Sequence, residues 1–102
     1  MTAWLIITAK IHDRAKFLEA YGKPAAALLA RHGGEYVLRA PGAEVLEGGG
    51  PAGESVVISR WPSRDAALAF WNGPDYAALK SARAGIADCR ILLVDDNPAG
   101  PR

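Results

Sequence analysis

The sequence predicts an α+β domain built on a four-stranded antiparallel sheet. Four runs rich in Val, Ile, Leu or aromatic residues are bounded by turn residues or helix starts, as β-strands usually are. Between them lie stretches whose apolar residues recur at helical spacing, which gives the order β-α-β-β-α-β. A chain of 102 residues has room for one domain, expected to span residues 1–97. The Pro- and Gly-rich residues 98–102 are expected to form a frayed tail.

The predicted strands are apolar on both of their faces. Their bounds are Trp4–Ile11, Glu35–Arg39, Ser55–Trp61 and Arg90–Asp95. In the first strand, alternation directs Leu5 and Ile7 to one face and Trp4 and Ile6 to the other. Two helices can cover one face only, so we expect a second copy of the chain to cover the other. A shorter apolar piece, Ala43–Glu47, is expected to pair with a neighbouring strand as a minor ribbon.

The first helix is predicted to begin after Asp13, whose side chain suits an N-cap. Gly22 and Pro24 interrupt its apolar pattern, which indicates either a kink or two stacked helices with Pro24 in the first turn of the second. Glycine accepts the left-handed conformation of a helix C-terminus, so Gly33 and Gly34 are expected to end this element.

The second helical stretch opens at Ser63, a further N-cap candidate. Asn72, Gly73 and Pro74 break it, and another helix is predicted from about Pro74 to Arg83. This number and order of strands and helices suits a ferredoxin-like split βαβ sandwich.

Composition excludes several classes of protein. Twelve basic against 11 acidic residues leave a net charge of +1, which argues against a nucleic-acid binder or a protein of anionic membranes. No apolar run approaches the roughly 18–20 residues that cross a bilayer. The start of the chain has no basic region before its apolar run, so we expect a first strand, no signal peptide and a cytoplasmic protein. Cys89 has no partner for a disulfide and is interpreted as a small buried thiol.

Two apparent motifs carry no chemistry. Gly48–Gly53 matches the letters GxGxxG, but a strand and not a helix follows it, and Pro51 lacks a backbone donor, so we interpret it as a flexible hairpin loop. His12 and His32 stand far apart with no metal-ligand spacing, and no structural metal is expected. No serine has the context of a nucleophile elbow.

Charged residues on the predicted strands are more informative. Arg39 ends an otherwise apolar strand, and Arg60 shares a face with Val56 and Ile58. A charge on a half-buried strand needs a carboxylate or an anionic ligand. Three alternatives therefore stand: an ion pair, such as Arg39 with Glu47, a solvated strand end, or a polar lining for a small cavity.

Three segments of the chain, Arg31–Gly48, Val56–Arg83 and Ile91–Asp96, together resemble the DUF1330 family. The resemblance rests on Gly-Gly, an Arg, Leu-Glu-Gly, Pro-Ser and Trp-Asn-x-Pro-x-Tyr in this order. It implies a protomer of the dimeric α+β barrel superfamily, in which the sheets of two ferredoxin-like protomers pack face to face. The function of the family is uncharacterised, so the resemblance implies a fold and no reaction.

The resemblance also singles out individual positions. Those that match recurrent family residues are Tyr21, Gly34, Arg39, Glu47, Trp71, Asn72, Tyr76 and Arg83. One departure concerns charge, because the family usually has Ile-Glu-Phe before Pro-Ser and this chain has Ser59-Arg60-Trp61. Arg60 is expected to reverse a charge in or near the cavity, so an acid or base role of that glutamate does not transfer.

Two functional hypotheses follow. In the first, a cavity between sheet and helices binds a small anionic or carboxylate-bearing molecule, without a metal or cofactor and with or without catalysis. Its expected ligand-binding residues are Tyr21, Arg39, Glu47, Trp71, Asn72, Tyr76 and Arg83. The alternative is a non-catalytic dimeric accessory or stress-related module with no functional pocket. A cavity with convergent polar groups would favour the first, and one filled by Trp61, Phe70 and Trp71 would favour the second.

Overall fold

A computed structural model describes residues 2–97, and the tail expected to fray at 98–102 lies outside this range. The strands are β1 (Ala3–Ile11), β2 (Glu35–Ala40), β3 (Ser55–Trp61) and β4 (Ala87–Asp95). The helices are α1 (Arg14–Phe17), a π-helical turn (Leu18–Gly22), α2 (Lys23–Arg31), α3 (Arg64–Trp71) and α4 (Pro74–Ala82). The predicted strands are all present, and β4 begins three residues before its predicted start.

The four strands form one sheet in the order β2-β3-β1-β4, and every neighbouring pair is antiparallel. Leu5 on β1 lies opposite Ser59 on β3 and opposite Leu93 on β4. A β-bulge interrupts the pairing of β2 with β3 between Tyr36 and Leu38. This topology is that of the ferredoxin-like α+β fold, which confirms the predicted fold class.

The first helical segment is continuous, although the sequence predicts an interruption. The Asp13 carboxylate accepts a hydrogen bond from the Lys16 backbone N–H and so caps α1. Pro24 has no N–H, and its ring would clash with a carbonyl one α-helical turn back. The chain widens here into a π-helical turn, in which the Lys23 N–H donates to the Leu18 carbonyl five residues earlier. Pro24 thus occupies the first turn of α2, as in the second predicted alternative, but α2 follows directly on the π-helical turn and is not a separate stacked helix.

The second helical segment breaks where the sequence predicts. The Ser63 hydroxyl accepts from the Ala66 N–H and caps α3. Asn72 ends α3, and Pro74 stands in the first turn of α4, where its missing N–H costs no helical hydrogen bond.

The core lies between one face of the sheet and the helices. Trp61 and Tyr76 are its largest fully buried side chains, and Phe70 packs between their rings with centroids 4.9 and 4.8 Å away. A Cβ added at Gly34 would stand 2.8 Å from the Trp61 indole and 2.9 Å from Leu29 Cγ. The recurrent family glycine at this position is therefore explained by close packing.

The other face of the sheet carries no helix in the part of the chain described. Strand pairing places Trp4, Ile6, Ile58, Leu92 and Val94 on this open face. Leu92 and Val94 are 43% and 41% exposed, which is high for aliphatic residues in the interior of a strand. The predicted apolar character of both sheet faces is present.

Two expectations need correction. Ala43–Glu47 forms no strand; Ala43 instead makes two backbone hydrogen bonds, with Glu54 and Gly53, that close the base of an exposed loop. Arg60 does not lie in or near the space between sheet and helices, because alternation along β3 directs it to the open face. There it forms an ion pair with Glu35, the residue opposite it on β2.

Candidate functional site

A cavity of about 350 Å³ lies between the sheet and the helices. Its walls are largely apolar, and include Leu5, Ile7, Phe17, Leu29, Val57, Phe70, Trp71 and Ile91. This size falls within the range of roughly 300–1,000 Å³ typical of small-molecule sites. Trp61 and Phe70 pack in the core beside the cavity without filling it.

The charged residues on the cavity lining all carry positive charge. They are Arg14, Lys23 and Arg39, and no Asp or Glu among residues 2–97 lines the cavity. Lys23 is neutralised by Glu19 at 2.6 Å. Arg14 donates to the buried Ser55 hydroxyl at 3.1 Å, and the Arg39 guanidinium lies 4.7 Å from the centre of the Tyr36 ring.

Neither arginine on the lining forms an ion pair within the described range of residues. A guanidinium offers a planar fork of donors that matches a carboxylate or another oxyanion. The lining therefore presents two cationic groups whose donors are available to a ligand.

Two tyrosines on the lining form a hydrogen-bonded pair. Their hydroxyl oxygens, on Tyr21 and Tyr76, are 2.8 Å apart, and both residues are more than nine-tenths buried. Behind this pair, Arg83 donates from Nη1 to the Tyr76 hydroxyl at 2.9 Å. The Arg83 guanidinium also lies 5.1 Å from the centre of the Tyr21 ring, within reach of a cation–π interaction.

Arg83 is a buried cation without an anionic partner. It is 7% exposed, and no carboxylate in residues 2–97 lies within 4.0 Å of it. Burial of a charge is costly unless the charge is paired and hydrogen-bonded. The Tyr76 hydroxyl and two aromatic faces supply partial compensation, and the positive charge acts on the hydroxyl pair through a medium of low polarity.

Burial sets the ionisation of the neutral groups around the cavity. It raises the pKa of the Tyr21 hydroxyl well above its ordinary range, and the neighbouring Tyr76 adds to this rise. Burial also raises the pKa of Tyr36, against the opposing charge of Arg39, and the pKa of the Cys89 thiol, against that of Arg83. All three groups are therefore protonated at neutral pH.

The structure distributes the expected ligand-binding residues in three ways. Tyr21, Arg39, Trp71 and Tyr76 line the cavity, and Arg83 lies behind it against Tyr76. Asn72 is exposed at the end of α3. Glu47 is exposed in the loop after β2, and it forms no ion pair with Arg39.

Arg14 and Ser55 belong to the lining but are not among the predicted ligand-binding residues. They are 41 positions apart and meet only because Ala9 near the end of β1 lies opposite Ser55 at the start of β3. Nothing in the local sequence around Arg14 distinguishes it from an exposed helix-terminal cation. The β1–β3 register is the signal that could have paired the two residues.

Three other features can be compared with the cavity. No group of three or more His, Cys, Asp and Glu in the described part of the chain is placed to hold a metal ion. The Gly48–Gly53 loop does not line the cavity. Of the helices within residues 2–97, none has the length and apolar character to cross a membrane.

The fold and the cavity define a ferredoxin-like α+β domain with a small-molecule-sized space between its layers. The family model described as a domain of unknown function, DUF1330, matches residues 2–97. The chain belongs to this family, which confirms the predicted resemblance. No curated protein sequence matches the chain.

Solved structures share the fold at low sequence identity. The methylated RPA0582 protein, of unknown function and from Rhodopseudomonas palustris, is 19% identical with a TM-score of 0.75, over 98% of this chain and 84% of that one. SnoaB, described as a cofactor-independent oxygenase from Streptomyces nogalater, is 19% identical with a TM-score of 0.67, over 99% and 98% of the two chains.

A third protein bears on assembly. It comes from Bacteroides fragilis and is described as dimeric, of unknown function and of ferredoxin-like fold. It is 14% identical to this chain, with a TM-score of 0.52 over 92% of this chain and 95% of that one. At these identities the three structures show a shared fold and leave activity undetermined.

Proposed function

We propose that the cavity binds a small organic anion, such as a carboxylate, with an apolar aromatic body. The proposal rests on the sign of the charges on the lining. They are all positive, and Arg14 and Arg39 have no carboxylate partner among the described residues. Aliphatic and aromatic walls supply the apolar contact, and the guanidinium groups supply the charge-assisted hydrogen bonds.

Calorimetric titration with 2-naphthoate tests the proposal, with neutral 2-naphthalenemethanol as the matched ligand of similar size. We expect naphthoate to bind at least tenfold more tightly, because about 1.4 kcal/mol corresponds to a factor of ten and one charged hydrogen bond contributes about 1.5–3 kcal/mol. Arg39→Met should remove most of this preference without unfolding the domain, because Arg39 is exposed.

Arg31→Met is the matched control, since Arg31 is exposed at the end of α2 and lies off the cavity lining. Equal affinities for the acid and the alcohol would contradict the proposal. An equal loss of naphthoate affinity in Arg39→Met and Arg31→Met would also contradict it, because of the two only Arg39 lines the cavity.

The alternative of a dimeric module without a functional pocket receives less support from the geometry. A cavity filled by packed aromatic side chains would favour that alternative, whereas an open volume of about 350 Å³ lies beside them. We propose binding and no reaction, because the likeness to a cofactor-independent oxygenase is at 19% identity and extends to the fold alone.

We further infer that the protein is a homodimer whose open sheet faces pack together. Ile6, Ile58 and Leu92 form adjacent apolar positions across three strands of this face, where water would otherwise meet them. A neighbour of the same fold is described as dimeric, which supports the inference.

Sedimentation at micromolar concentration should report about twice the 10.8 kDa chain mass. Leu92→Asp should give monomers, because it buries a charge in the interface. Leu46→Asp is the control, since Leu46 is 88% exposed in the loop after β2 and off the sheet face. A monomeric native protein, or two variants that behave alike, would contradict the inference.

A further inference from the structure

Arg83, Tyr76 and Tyr21 form a hydrogen-bonded chain that leads from a buried charge to the cavity. Arg83 donates to the Tyr76 hydroxyl at 2.9 Å, and that hydroxyl lies 2.8 Å from the hydroxyl of Tyr21. Both tyrosines border the cavity, whereas Arg83 does not. Fold stability gives no reason to bury a guanidinium here without a carboxylate, since the desolvation of such a charge is unfavourable.

Hydrogen-bond satisfaction favours one direction for this chain, although either tyrosine hydroxyl could donate across the 2.8 Å that separates their oxygens. The Tyr76 oxygen accepts from Arg83, so its own proton must be donated to another acceptor. Tyr76 is 2% exposed, and the Tyr21 oxygen is the acceptor within reach in the described structure. We therefore infer that Tyr76 donates to Tyr21, which leaves the proton of Tyr21, a residue on the cavity lining, available for a ligand.

The positive charge of Arg83 strengthens the donor at the end of such a chain, against the burial that raises the pKa of Tyr21. Each hydrogen bond polarises the next, and the positive charge of Arg83 pulls electron density along the chain in a medium that screens it weakly. Burial raises the pKa of Tyr21, so its hydroxyl keeps its proton at neutral pH. The neutral hydroxyl can then donate a hydrogen bond to a ligand oxygen. The other titratable groups on the cavity lining are Tyr36, Cys89, Lys23 and the two arginines, none of which is an anion at neutral pH.

We propose that the Tyr21 hydroxyl, backed by Tyr76 and Arg83, binds a ligand oxyanion of the phenolate or enolate class and favours its ionised form. One hydroxyl donor between apolar walls suits an anion whose charge resides on a single oxygen, whereas a carboxylate has two oxygens to satisfy. The proton that the ligand loses passes to solvent. This inference rests on the proposed binding function and adds a second, inner polar contact to it.

The test is the ionisation of bound 4-nitrophenol, whose phenolate absorbs at longer wavelength than the neutral phenol. We expect the bound probe to have a pKa about one unit below its value in water, which is about a tenfold rise in its ionisation constant. Tyr21→Phe keeps the ring and removes the donor, so it should abolish most of this rise. Tyr36→Phe is the matched comparison and should have the smaller effect, because the Tyr36 hydroxyl makes no hydrogen bond with Arg83.

A measurement on the native protein keeps the proposal testable if Tyr21→Phe does not fold. Neutral 4-nitrotoluene has nearly the shape of the probe, and we expect nitrophenolate to bind at least tenfold more tightly. An unshifted or raised pKa of the bound probe would overturn the proposal, as would 2-naphthoate binding in a protein that does not bind nitrophenol. In both cases the naphthoate titration would still decide the proposed function, because it does not depend on Tyr21. If neither compound binds, both proposals fail.

Discussion

Removal of the Tyr76 hydroxyl should destabilise the protein far more than its size suggests. In Tyr76→Phe the ring still packs against Phe70 and Trp71, with centroids 4.8 Å away in each case, so no cavity forms. Two buried hydrogen bonds are lost, one of them from the Arg83 guanidinium. A hydrogen bond to a charged group contributes about 1.5–3 kcal/mol and a neutral one about 0.5–1.5 kcal/mol, so we expect a loss of about 2–4 kcal/mol.

Urea unfolding followed by circular dichroism measures this loss, at one fixed protein concentration because a dimer dissociates as it unfolds. Tyr36→Phe is the matched control. Tyr36 is half-buried and its hydroxyl makes no hydrogen bond within the described chain, so its removal should change the free energy of unfolding by less than about 0.5 kcal/mol. Equal losses in the two variants would refute the reasoning, because the hydrogen bonds to Arg83 and Tyr21 would then contribute nothing.

A second substitution separates the buried charge from the lost hydrogen bonds. Arg83→Met added to Tyr76→Phe removes the buried cation that has lost its hydrogen bond to Tyr76. Because an unpaired buried charge is more costly than an apolar side chain of similar length, the double variant should regain about 1–2 kcal/mol relative to Tyr76→Phe. If the two losses are additive, Arg83 and Tyr76 are not energetically coupled.

Two further predictions concern packing and pH. Gly34→Ala should lower the free energy of unfolding by about 1–3 kcal/mol, because the new Cβ would stand 2.8 Å from the rigid Trp61 indole. Gly49→Ala lies in open space and should melt like the native protein. Equal melting temperatures of the two variants would contradict the packing explanation. The raised pKa values of Tyr21 and Tyr36 mean that the unfolded chain releases these protons first, so stability should fall as pH rises above their ordinary value of 10.0. Urea midpoints that stay level through this alkaline range would show that burial does not shift these groups.

Strand positions were predictable because alternation and β-propensity act locally. The same alternation predicts that both sheet faces are apolar, and it correctly places Arg60 with Val56 and Ile58. What alternation does not say is which of the two faces the helices cover. The family resemblance placed Arg60 in or near the cavity, whereas the structure has it on the open face with Glu35.

Residues that meet across the fold were harder to predict. The π-helical turn at Leu18–Gly22 compensates for a missing donor at Pro24, and a widened turn has no sequence pattern of its own. Tyr76 and Arg83 were singled out by family resemblance. The hydrogen bond between Tyr76 and Tyr21 spans 55 residues and arises from the docking of α4 beside the π-helical turn. The aromatic residues of the cavity recur at helical spacing, and this spacing does not distinguish a cavity wall from ordinary core packing.

The even charge count conceals the feature that best distinguishes this molecule. A net charge of +1 suggests a surface without preference for either sign, and it bears only on long-range attraction. The acidic side chains lie elsewhere: Glu35 is on the open face, Glu47 is in the exposed loop, and Asp88 pairs with His12 outside the cavity. Since no acidic residue lines the cavity, the charged groups on its lining are all cationic, and two of them, Arg14 and Arg39, form no ion pair among the described residues. The separation of acids from the arginines around the cavity is a property of the fold, and it favours an anionic ligand in a protein of almost neutral composition.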